Sequence, residues 1–487
     1  MLLNIPQMRQ AERTVFVVLI GITVLRLLAI MLTPLAPDVE ETQYWLWSQT
    51  PDAGYFTKPP MIAWVIGLTT AIAGDGVVGI KLAAPLIQLV SALLIGRIAS
   101  SFSSPRAGII ASLIWISLPA AGLGSFVIST DSPMLMFILA ALYLLAPLAR
   151  GKVLARHEVM LAGIFAGLAM MSKYAAIYLP AGVVLWYLWQ GRRDMRVNVV
   201  GIGLFIIGML ISLAPNIVWN LMNGFVTVGH LGHNADLDGG SVSALRSFGF
   251  LAAQAGIAGP LIFGLVIVAG ITLWRDPACR FWIALAAPAL LVISVQAYFS
   301  TANANWAVAS WPPLVVLVAH FLGSRWQGWR RGWGIAGISI NTGIALFLII
   351  ATAIGTTGPL TPASDPLRRL RGWQDHADTL TPLIAATSAT AVITERRGYA
   401  ARFHWLLRDL DIDVEIVDAN GVAENHFEAA HPWQPQPGRT VILVNGAPVP
   451  GHDQQIDFNA APLSSEVRIS SKRHRHLYFH PGIERRK

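Results

Sequence analysis

The sequence has few charged residues, almost no cysteine and no recognisable nucleotide-binding motif. Only 13% of its 487 residues are charged, whereas soluble globular proteins average about 25%, so an ordinary soluble enzyme and a disordered chain are both excluded. The single cysteine, Cys279, excludes an intramolecular disulfide and a zinc site built from cysteines. The lack of a P-loop or another glycine-rich phosphate motif argues against a nucleotide ligand.

Apolar residues are abundant instead: 54% of the chain is hydrophobic, and its mean hydropathy is +0.55. Segments long enough to cross about 30 Å of hydrocarbon recur through the first 356 residues. We predict eleven spans, at 14–34, 77–97, 106–123, 132–149, 158–173, 175–190, 197–219, 247–273, 280–299, 306–323 and 333–356.

The distribution of cations predicts how these segments are oriented. From Ser364 onward the chain carries 15 basic and 15 acidic residues, so its net charge of +8 belongs to the apolar part. If 59–74 does not cross the membrane, 15 cations lie at the cytoplasmic ends of the spans, and only Lys58, Lys173 and Arg246 lie in outer loops. We therefore interpret 59–74 as a re-entrant or interfacial helix, and the charge as membrane topology rather than a nucleic-acid-binding surface.

The predicted architecture is mainly α, a polytopic bundle of about 11–13 transmembrane helices over residues 1–356. The polar residues 357–487 follow as a small α/β domain on the outer side, which is the periplasm in a bacterium. Within that domain, alternating apolar residues predict strands at Ala391–Thr394, Val414–Val417 and Val441–Val444, and a helix at Tyr399–Arg408.

The first outer loop contains an unusual cluster of acids. Asp38, Glu40 and Glu41 precede an aromatic run, and Lys58 follows before two prolines. One interpretation is a solvated acidic loop with a lysine that extends to the interface. The other is a site in which a carboxylate acts as a general base and Lys58 binds a phosphate at headgroup depth.

The loop resembles a known family. The segments Glu40-Glu41 before Gln43-Tyr44-Trp45-Leu46-Trp47-Ser48, and Gly54-Tyr55-Phe56 before Lys58-Pro59-Pro60, are similar to integral-membrane GT-C glycosyltransferases. That superfamily includes the lipid A aminoarabinose transferases, the protein O-mannosyltransferases and the lipopolysaccharide-core galacturonosyltransferases. Weaker matches are Ser129-Thr130-Asp131-Ser132-Pro133, Ser172-Lys173-Tyr174, Pro215-Asn216 with Trp219-Asn220, and Asn303-Ala304-Asn305-Trp306.

The resemblance implies that a sugar moves, usually with inversion, from a polyprenyl-phosphate carrier to a hydroxyl of an envelope lipid or glycan on the outer face of the inner membrane. The family's first-loop motif is normally Asp-Glu, and alignment on Tyr44 puts Glu40 at the position of the catalytic Asp, which is a departure. Our order for the base is Glu40, then Asp38, with Glu41 as a positioning acid. The resemblance places the phosphate-binding lysine at Lys58, and we add Tyr55 from the same motif.

Two further candidates lie at the ends of predicted spans. Asp131 is either the N-cap of the span that begins near Pro133 or a second active-site carboxylate, and the two roles are compatible. Lys173 is either a lysine that extends to the interface or a second phosphate contact. Asn303 and Asn305 are candidates for contacts with sugar hydroxyls, while Trp306 fits the aromatic belt.

The loop around His230 and His233 also contains Asp236 and Asp238. We expect a loop that covers the substrate. A plain loop is the next alternative and a divalent metal site the last, and no metal or other cofactor is assigned. The basic run Lys472–His476 is interpreted as a solvated strand edge or a headgroup contact, with binding of the acceptor as a lesser alternative.

The main competing function is a transporter or a lipid flippase. Transporters tend to contain internal repeats and ionisable groups near the midplane of the membrane. Here Arg26 is the main cation inside a span, and the acids cluster in outer loops. A scaffold that only presents the C-terminal domain would leave the acidic, aromatic and Lys-Pro-Pro segments without a purpose. The sequence therefore favours chemistry at the outer surface of the membrane.

Overall fold

The structure is a computed structural model that describes residues 10–190, 195–227, 229, 242–358, 365, 367–418, 420–452, 454–470 and 473–485. The predicted loop residues His230 and His233, together with Lys472, lie outside these ranges. The side chains of Gln190 and of residues 195–198 are likewise not described.

Helices make up most of the first 354 residues. Short 3₁₀ segments at Ala146–Arg150, Tyr174–Ile177 and Ala304–Ser310 extend three of them. The α-helices of this part are α1 Gln10–Leu32, α2 Val39–Gln49, α3 Met61–Ala73, α4 Val77–Lys81, α5 Ala83–Phe102, α6 Pro105–Ser117, α7 Pro119–Leu123, α8 Asp131–Leu145, α9 Arg156–Ser172, α10 Tyr178–Gln190, α11 Met195–Met222, α12 Ala244–Ala258, α13 Pro260–Leu273, α14 Pro277–Phe299, α15 Trp311–Ser324 and α16 Gly328–Ile354.

Seven helical segments of the described residues are long and apolar enough to cross a membrane. Three shorter apolar helices, Met61–Ala73, Pro105–Ser117 and Tyr174–Trp189, lie where the sequence predicts a re-entrant helix and two spans. The segments agree closely with the predicted ones because a run of some 20 apolar residues has no stable alternative to a helix in hydrocarbon. The exact number of crossings stays a prediction.

The predicted span 247–273 differs from the structure. It consists of two helices, α12 and α13, bent by 114° at Gly259. Gly259 has a φ of +83°, a conformation that favours glycine, and the next residue is Pro260, which suits the first turn of a new helix. Hydropathy cannot reveal such a break, because the residues on both sides of it are equally apolar.

The chain divides into two compact units. The first contains Met1–Ala29, Lys58–Val65 and Lys81–Ile350. Its interior is apolar and rich in alanine and small aliphatic side chains, and Arg26 is fully buried there with a hydrogen bond of 2.7 Å to the carbonyl of Ile116. The predicted boundary at residue 356 is an expectation from composition and stays a prediction.

The second unit contains Ile30–Thr57, Ile66–Ile80 and Ala351–Lys487. Its helices are α17 Trp373–Thr387, α18 Arg397–Leu406 and α19 His426–Ala430, and its strands are β1 Ala391–Thr394, β2 Asp413–Ile416, β3 Thr440–Asn445, β4 Ile456–Phe458, β5 Leu463–Ser470 and β6 Arg473–Glu484.

The six strands form one mixed sheet. The order is β2-β1-β3-β6-β4, and β5 also pairs with β6. Strand β1 is parallel to β2 and β3, whereas β6 is antiparallel to β3, β4 and β5. All four residues of β1 are buried, as expected for a central parallel strand. The three strands predicted from alternation coincide with β1, β2 and β3 within one residue at each end.

The first-loop helix α2 belongs to this second unit. Its apolar side chains Val39 and Leu46 pack against a small core that contains Ala400 and Ala401 of α18. The side-chain amide oxygen of Gln43 accepts two hydrogen bonds from Arg397, at 2.7 and 3.0 Å. The acidic first loop is thereby fixed to the C-terminal domain through a helix–helix contact.

Candidate active site

A capping box fixes the start of α2. Asp38 is the N-cap, and its carboxylate accepts a long hydrogen bond of 3.4 Å from the backbone of Glu40. The Glu41 side chain accepts a hydrogen bond of 2.8 Å from the backbone N–H of Asp38. An acid at the N-cap with Glu three residues later is the usual sequence signal for this arrangement. The negative charges also stabilise the positive end of the helix dipole.

The three acids of this turn have different environments. Glu41 is fully buried, and its carboxylate accepts a hydrogen bond from the backbone of the same turn. Asp38 is half-buried, and its carboxylate lies 3.7 Å from the guanidinium of Arg402. Glu40 is exposed, and its carboxylate accepts a hydrogen bond of 3.1 Å from the Tyr44 hydroxyl. Glu40 is thus the acid of this turn that remains accessible to a substrate.

Aromatic residues hold the rest of the loop. Tyr55 stacks on Trp47 with the ring centroids 4.6 Å apart. Its hydroxyl donates to the Trp47 carbonyl at 2.9 Å, and burial raises the pKa of Tyr55 to about 12. The Trp45 indole N–H donates to Asp75 at 2.7 Å. Tyr55 is buried and bonded to the end of α2, and its contact with a phosphate stays a prediction.

An open cavity of about 600 Å³ lies in the second unit beside these acids. Its volume is typical of a site for a small molecule or for part of a larger one. Its wall contains two of the predicted acids and one large aromatic side chain; the lining residues are Asp38, Val39, Glu40, Arg369, Trp373, Arg397, Gly398, Arg402 and Arg475.

The arginines of this wall were not predicted. The sequence predicts an electrically neutral C-terminal part, and Arg475 belongs to the basic run interpreted as a solvated strand edge or a headgroup contact, with acceptor binding as the lesser alternative. In the structure Arg475 and Arg402 both contact Trp373, with each guanidinium carbon 4.1 Å from the centre of the ring. The available signal was the segment Arg368–Trp373, in which basic residues precede a tryptophan.

A second group of predicted residues meets in the first unit. Asp131 is the first residue of α8, and one of its carboxylate oxygens lies 2.6 Å from the Nζ of Lys173 at the end of α9. The other carboxylate oxygen accepts a hydrogen bond of 3.0 Å from the Asn305 side chain. Three separate chain segments therefore come together at one end of this unit, as expected for loops on the same side of a membrane.

This arrangement decides two of the alternatives. The N-cap of α8 is Thr130, so the prediction that Asp131 caps the helix is wrong. Lys173 is 17% exposed and forms an ion pair, so it does not extend alone to the membrane interface. Next to it, the Tyr174 hydroxyl donates to Asn216 at 2.5 Å and accepts from Asn220 at 3.1 Å. These bonds join the motif that contains Lys173 to the one that contains Asn216 and Asn220.

The remaining candidates are Lys58, Asn303 and the two histidines of the loop around His230. Lys58 is half-buried in a bend before Pro59 and Pro60, which precede α3. Asn303 is exposed at the start of the 3₁₀ segment Ala304–Ser310, and its side chain does not cap that segment. His230 and His233 lie outside the described residues, so the metal alternative for their loop stays a prediction.

Among the described residues, two groups have the composition and spacing of metal ligands: Asp276 with Cys279 and His320, and Glu466 with His474 and His476. Neither group contains a residue that the sequence assigns to catalysis. In the second group the three side chains are exposed, and the Glu466 carboxylate contacts the rings of His474 and His476.

Two curated proteins are related to the chain by sequence, and a family matches part of it. Residues 57–219 match the family described as dolichyl-phosphate-mannose-protein mannosyltransferase. The chain is 30% identical over 447 residues to the lipid A galacturonosyltransferase RgtD of Rhizobium johnstonii, and the alignment covers 90% of this chain and 92% of RgtD. It is also 29% identical over 169 residues to undecaprenyl phosphate-alpha-4-amino-4-deoxy-L-arabinose arabinosyl transferase 1 of Pseudomonas fluorescens, across 33% of this chain and 30% of that protein.

A solved structure has the same fold. ArnT from Cupriavidus metallidurans, bound to undecaprenyl phosphate, matches with a TM-score of 0.67 over 95% of this chain and 97% of ArnT. The sequence identity is 14%, so this likeness concerns the fold alone. The predicted fold class, a helical membrane bundle with a small C-terminal α/β domain, is confirmed.

Proposed function

The chain belongs to the family of GT-C membrane glycosyltransferases that includes the lipid A galacturonosyltransferase RgtD, and we propose that it transfers a sugar from a polyprenyl-phosphate carrier to a hydroxyl of lipid A or a closely related envelope glycolipid. The acceptor is inferred from the name of RgtD, which aligns over nearly its whole length. The donor is inferred from the undecaprenyl phosphate that ArnT binds. The arginine-lined cavity beside Glu40 carries the proposal, since it combines an accessible carboxylate with groups that bind anions.

Glu40 is our candidate for the general base. It lines the cavity and is exposed, while Asp38 caps α2 and faces Arg402, and Glu41 is buried. As the acceptor oxygen attacks the anomeric carbon, its proton passes to the Glu40 carboxylate. The bond between the anomeric carbon and the phosphate oxygen breaks, and its electron pair stays on the phosphate. Such a base typically contributes a factor of ~10²–10⁴ to the rate.

Lys58 is our candidate for the cation that stabilises the leaving phosphate. A lipid phosphate needs no general acid, but its developing charge is stabilised best by a fixed cation where water is scarce. Pro59 and Pro60 restrict the backbone after Lys58. Lys173, whose Nζ lies 2.6 Å from the Asp131 carboxylate, is our candidate for a second contact with this phosphate.

The cluster of Asp131, Lys173 and Asn305 is proposed as a polar wall for the transferred sugar. The carboxylate of Asp131 is held from both sides by a cation and an amide, which fixes its orientation. A carboxylate oxygen and an amide can both bond sugar hydroxyls. Because the carboxylate is already oriented, no further entropy is lost in positioning it when the substrate binds.

We place the protein in the inner membrane of a bacterium, with the catalytic loops and the C-terminal domain in the periplasm. The excess of cations at one end of the spans supports this orientation. A phosphatase fused to the C-terminus should be active under this topology. A silent phosphatase together with an active cytoplasmic reporter would overturn it.

The function itself is tested by mass spectrometry of the envelope glycolipids from cells with and without this protein. We expect one glycolipid to lose the mass of a single sugar when the protein is absent. Membranes that contain the protein should restore that mass when supplied with a polyprenyl-phosphate-linked sugar. Identical glycolipids in the two strains would contradict the proposed function.

A further inference from the structure

The cavity beside Glu40 contains more positive than negative charge. Two carboxylates, Asp38 and Glu40, face four arginines: Arg369, Arg397, Arg402 and Arg475. A general base does not need this excess of cations. Nearby positive charges stabilise the ionised carboxylate and so weaken it as a base. The arginines therefore call for a separate explanation.

Arg402 is the most desolvated of the four, with 5% of its surface exposed. Its two terminal nitrogens donate to the carbonyls of Gly398 and Arg369, both at 3.2 Å. The Asp38 carboxylate is 3.7 Å away, well beyond the 2.7–2.9 Å typical of a charge-assisted hydrogen bond. Its buried Nε has no partner among the described residues. A charged group that is buried this deeply and only partly compensated would be stabilised by an added anion.

Two of the other three arginines, Arg397 and Arg475, are held in fixed positions by neutral partners. Arg475 donates to the Arg371 carbonyl at 2.6 Å and lies over Trp373, and Arg397 is fixed by the Gln43 amide oxygen. Burial lowers the pKa of both Arg402 and Arg475 to about 10. The hydrogen bonds of Arg397, Arg402 and Arg475 therefore order these three guanidinium groups before any ligand binds. Their planar geometry suits the oxygens of a phosphate or a carboxylate.

We propose that this arginine cavity binds an anionic group, a phosphate or a carboxylate, on the saccharide head of the acceptor and so presents the acceptor hydroxyl to Glu40. This inference rests on the proposed function. In an inverting displacement the nucleophile and the leaving group lie on opposite sides of the anomeric carbon. An anion held on the side of the base therefore belongs to the acceptor, whereas the phosphate of the donor lies on the far side.

Arg369 offers the cleanest test. It is exposed, and its side chain forms no hydrogen bond or ion pair with the described residues, so Arg369→Gln should leave the fold intact. We expect KM for an anionic acceptor to rise by about tenfold, as the loss of one charge-assisted hydrogen bond implies, with kcat and the donor KM unchanged. Arg369→Lys should recover most of the loss, because it keeps the charge. The matched control is Arg396→Gln, on an exposed arginine at the start of the same helix as Arg397.

The acceptor is varied to identify the anion. A phosphorylated lipid A, its dephosphorylated form and a form with a uronic acid in place of the phosphate are compared with both proteins. A KM effect that disappears with the neutral acceptor supports the inference, and the phosphorylated and uronic acid forms show which anion is preferred. An equal KM for wild type and Arg369→Gln on every acceptor overturns it.

The failure of this inference differs from the failure of the proposed function. If wild type transfers no sugar to any lipid A form, the proposed function is wrong. If wild type is active and Arg369→Gln has the wild-type KM, only the arginine cavity is wrongly assigned. Equilibrium binding of the radiolabelled acceptor gives a readout without turnover. The last comparison places the protein in nanodiscs with and without anionic phospholipid. An Arg369→Gln effect that appears only in the anionic bilayer would assign the arginines to membrane headgroups and overturn the inference.

Discussion

The carboxylate of Asp131 lies 2.6 Å from the ammonium of Lys173, and each of the two side chains is 17% exposed. The pair joins the beginning of α8 to the end of α9. Because both groups are largely removed from water, each depends on the other for its charge to be stable. The relationship predicts how their substitutions will combine.

Lys173→Met should destabilise the protein by about 1.5–3 kcal/mol, the usual range for a hydrogen bond between charged groups. Among the described residues, the Asp131 carboxylate then keeps the Asn305 amide as its side-chain partner. The double substitution Asp131→Asn with Lys173→Met should recover part of that loss, since no charge then remains unpaired. Melting temperatures of the detergent-purified variants check this expectation, with Lys152→Met on an exposed lysine as the control. Two single effects that simply add in the double variant would contradict the coupling.

Glu40→Gln should lower kcat by ~10²–10⁴-fold if Glu40 is the base. Asp38→Asn should have a smaller effect, because asparagine is an equally good N-cap and only the contact with Arg402 is lost. Asp52→Asn, at an exposed acid of the same loop, is the control. Initial rates of sugar transfer in membranes with saturating donor distinguish the three variants. Wild-type rates in the double variant of Glu40→Gln and Asp38→Asn would exclude both acids as the base.

The sequence predicted the helices and the acidic loop because those signals are local. Apolar runs define spans, and Asp38 with Glu41 is a capping motif within four residues. The cluster of Asp131, Lys173 and Asn305 was predicted as single residues on one side of the membrane, and only the structure shows them in contact.

The arginine cavity was not predicted, for a physical reason. Arg369 lies in a turn, Arg397 and Arg402 at the start and in the middle of α18, and Arg475 in strand β6. Their charges cancel in the composition of the C-terminal part. Only tertiary packing around Trp373 brings them together. The bend at Gly259 was missed because hydropathy does not report backbone conformation.

The second unit should lose stability in mild acid. The pKa of His404 is lowered to about 3 and that of His426 to about 4, mainly by burial and to a smaller extent by the nearby His431. Burial also lowers the pKa of His431. Unfolded histidines take up protons below about pH 6.5. Between pH 6.5 and about 4 the unfolded chain therefore binds more protons, and stability falls as the pH falls, by at most about 1.4 kcal/mol per pH unit for each group.

The charged groups around the three rings modify this dependence only in part. Asp413 and Glu415 raise the pKa of His431, while Arg397 lowers that of His426. His404→Leu should flatten the plot of melting temperature against pH. An equal slope for wild type and His404→Leu would assign the acid sensitivity to other groups.

The close approach of α9 and α11 should make the first unit intolerant of larger side chains at Gly163. A Cβ at Gly163 would lie 2.0 Å from the carbonyl oxygen of Phe205, and one at Gly208 would lie 2.1 Å from that of Met160. Two backbones pack directly here, which is how small residues join helices in a membrane. Gly163→Val should therefore lower the free energy of unfolding by about 1–3 kcal/mol or more, because the helices must separate.

Gly203→Val is the matched control, since a Cβ there has no atom within 4 Å and helix propensity changes equally in both variants. The two proteins are compared by melting temperature and by the monodisperse fraction after purification. Equal values would mean that α9 and α11 separate at no cost, contrary to the packing described here.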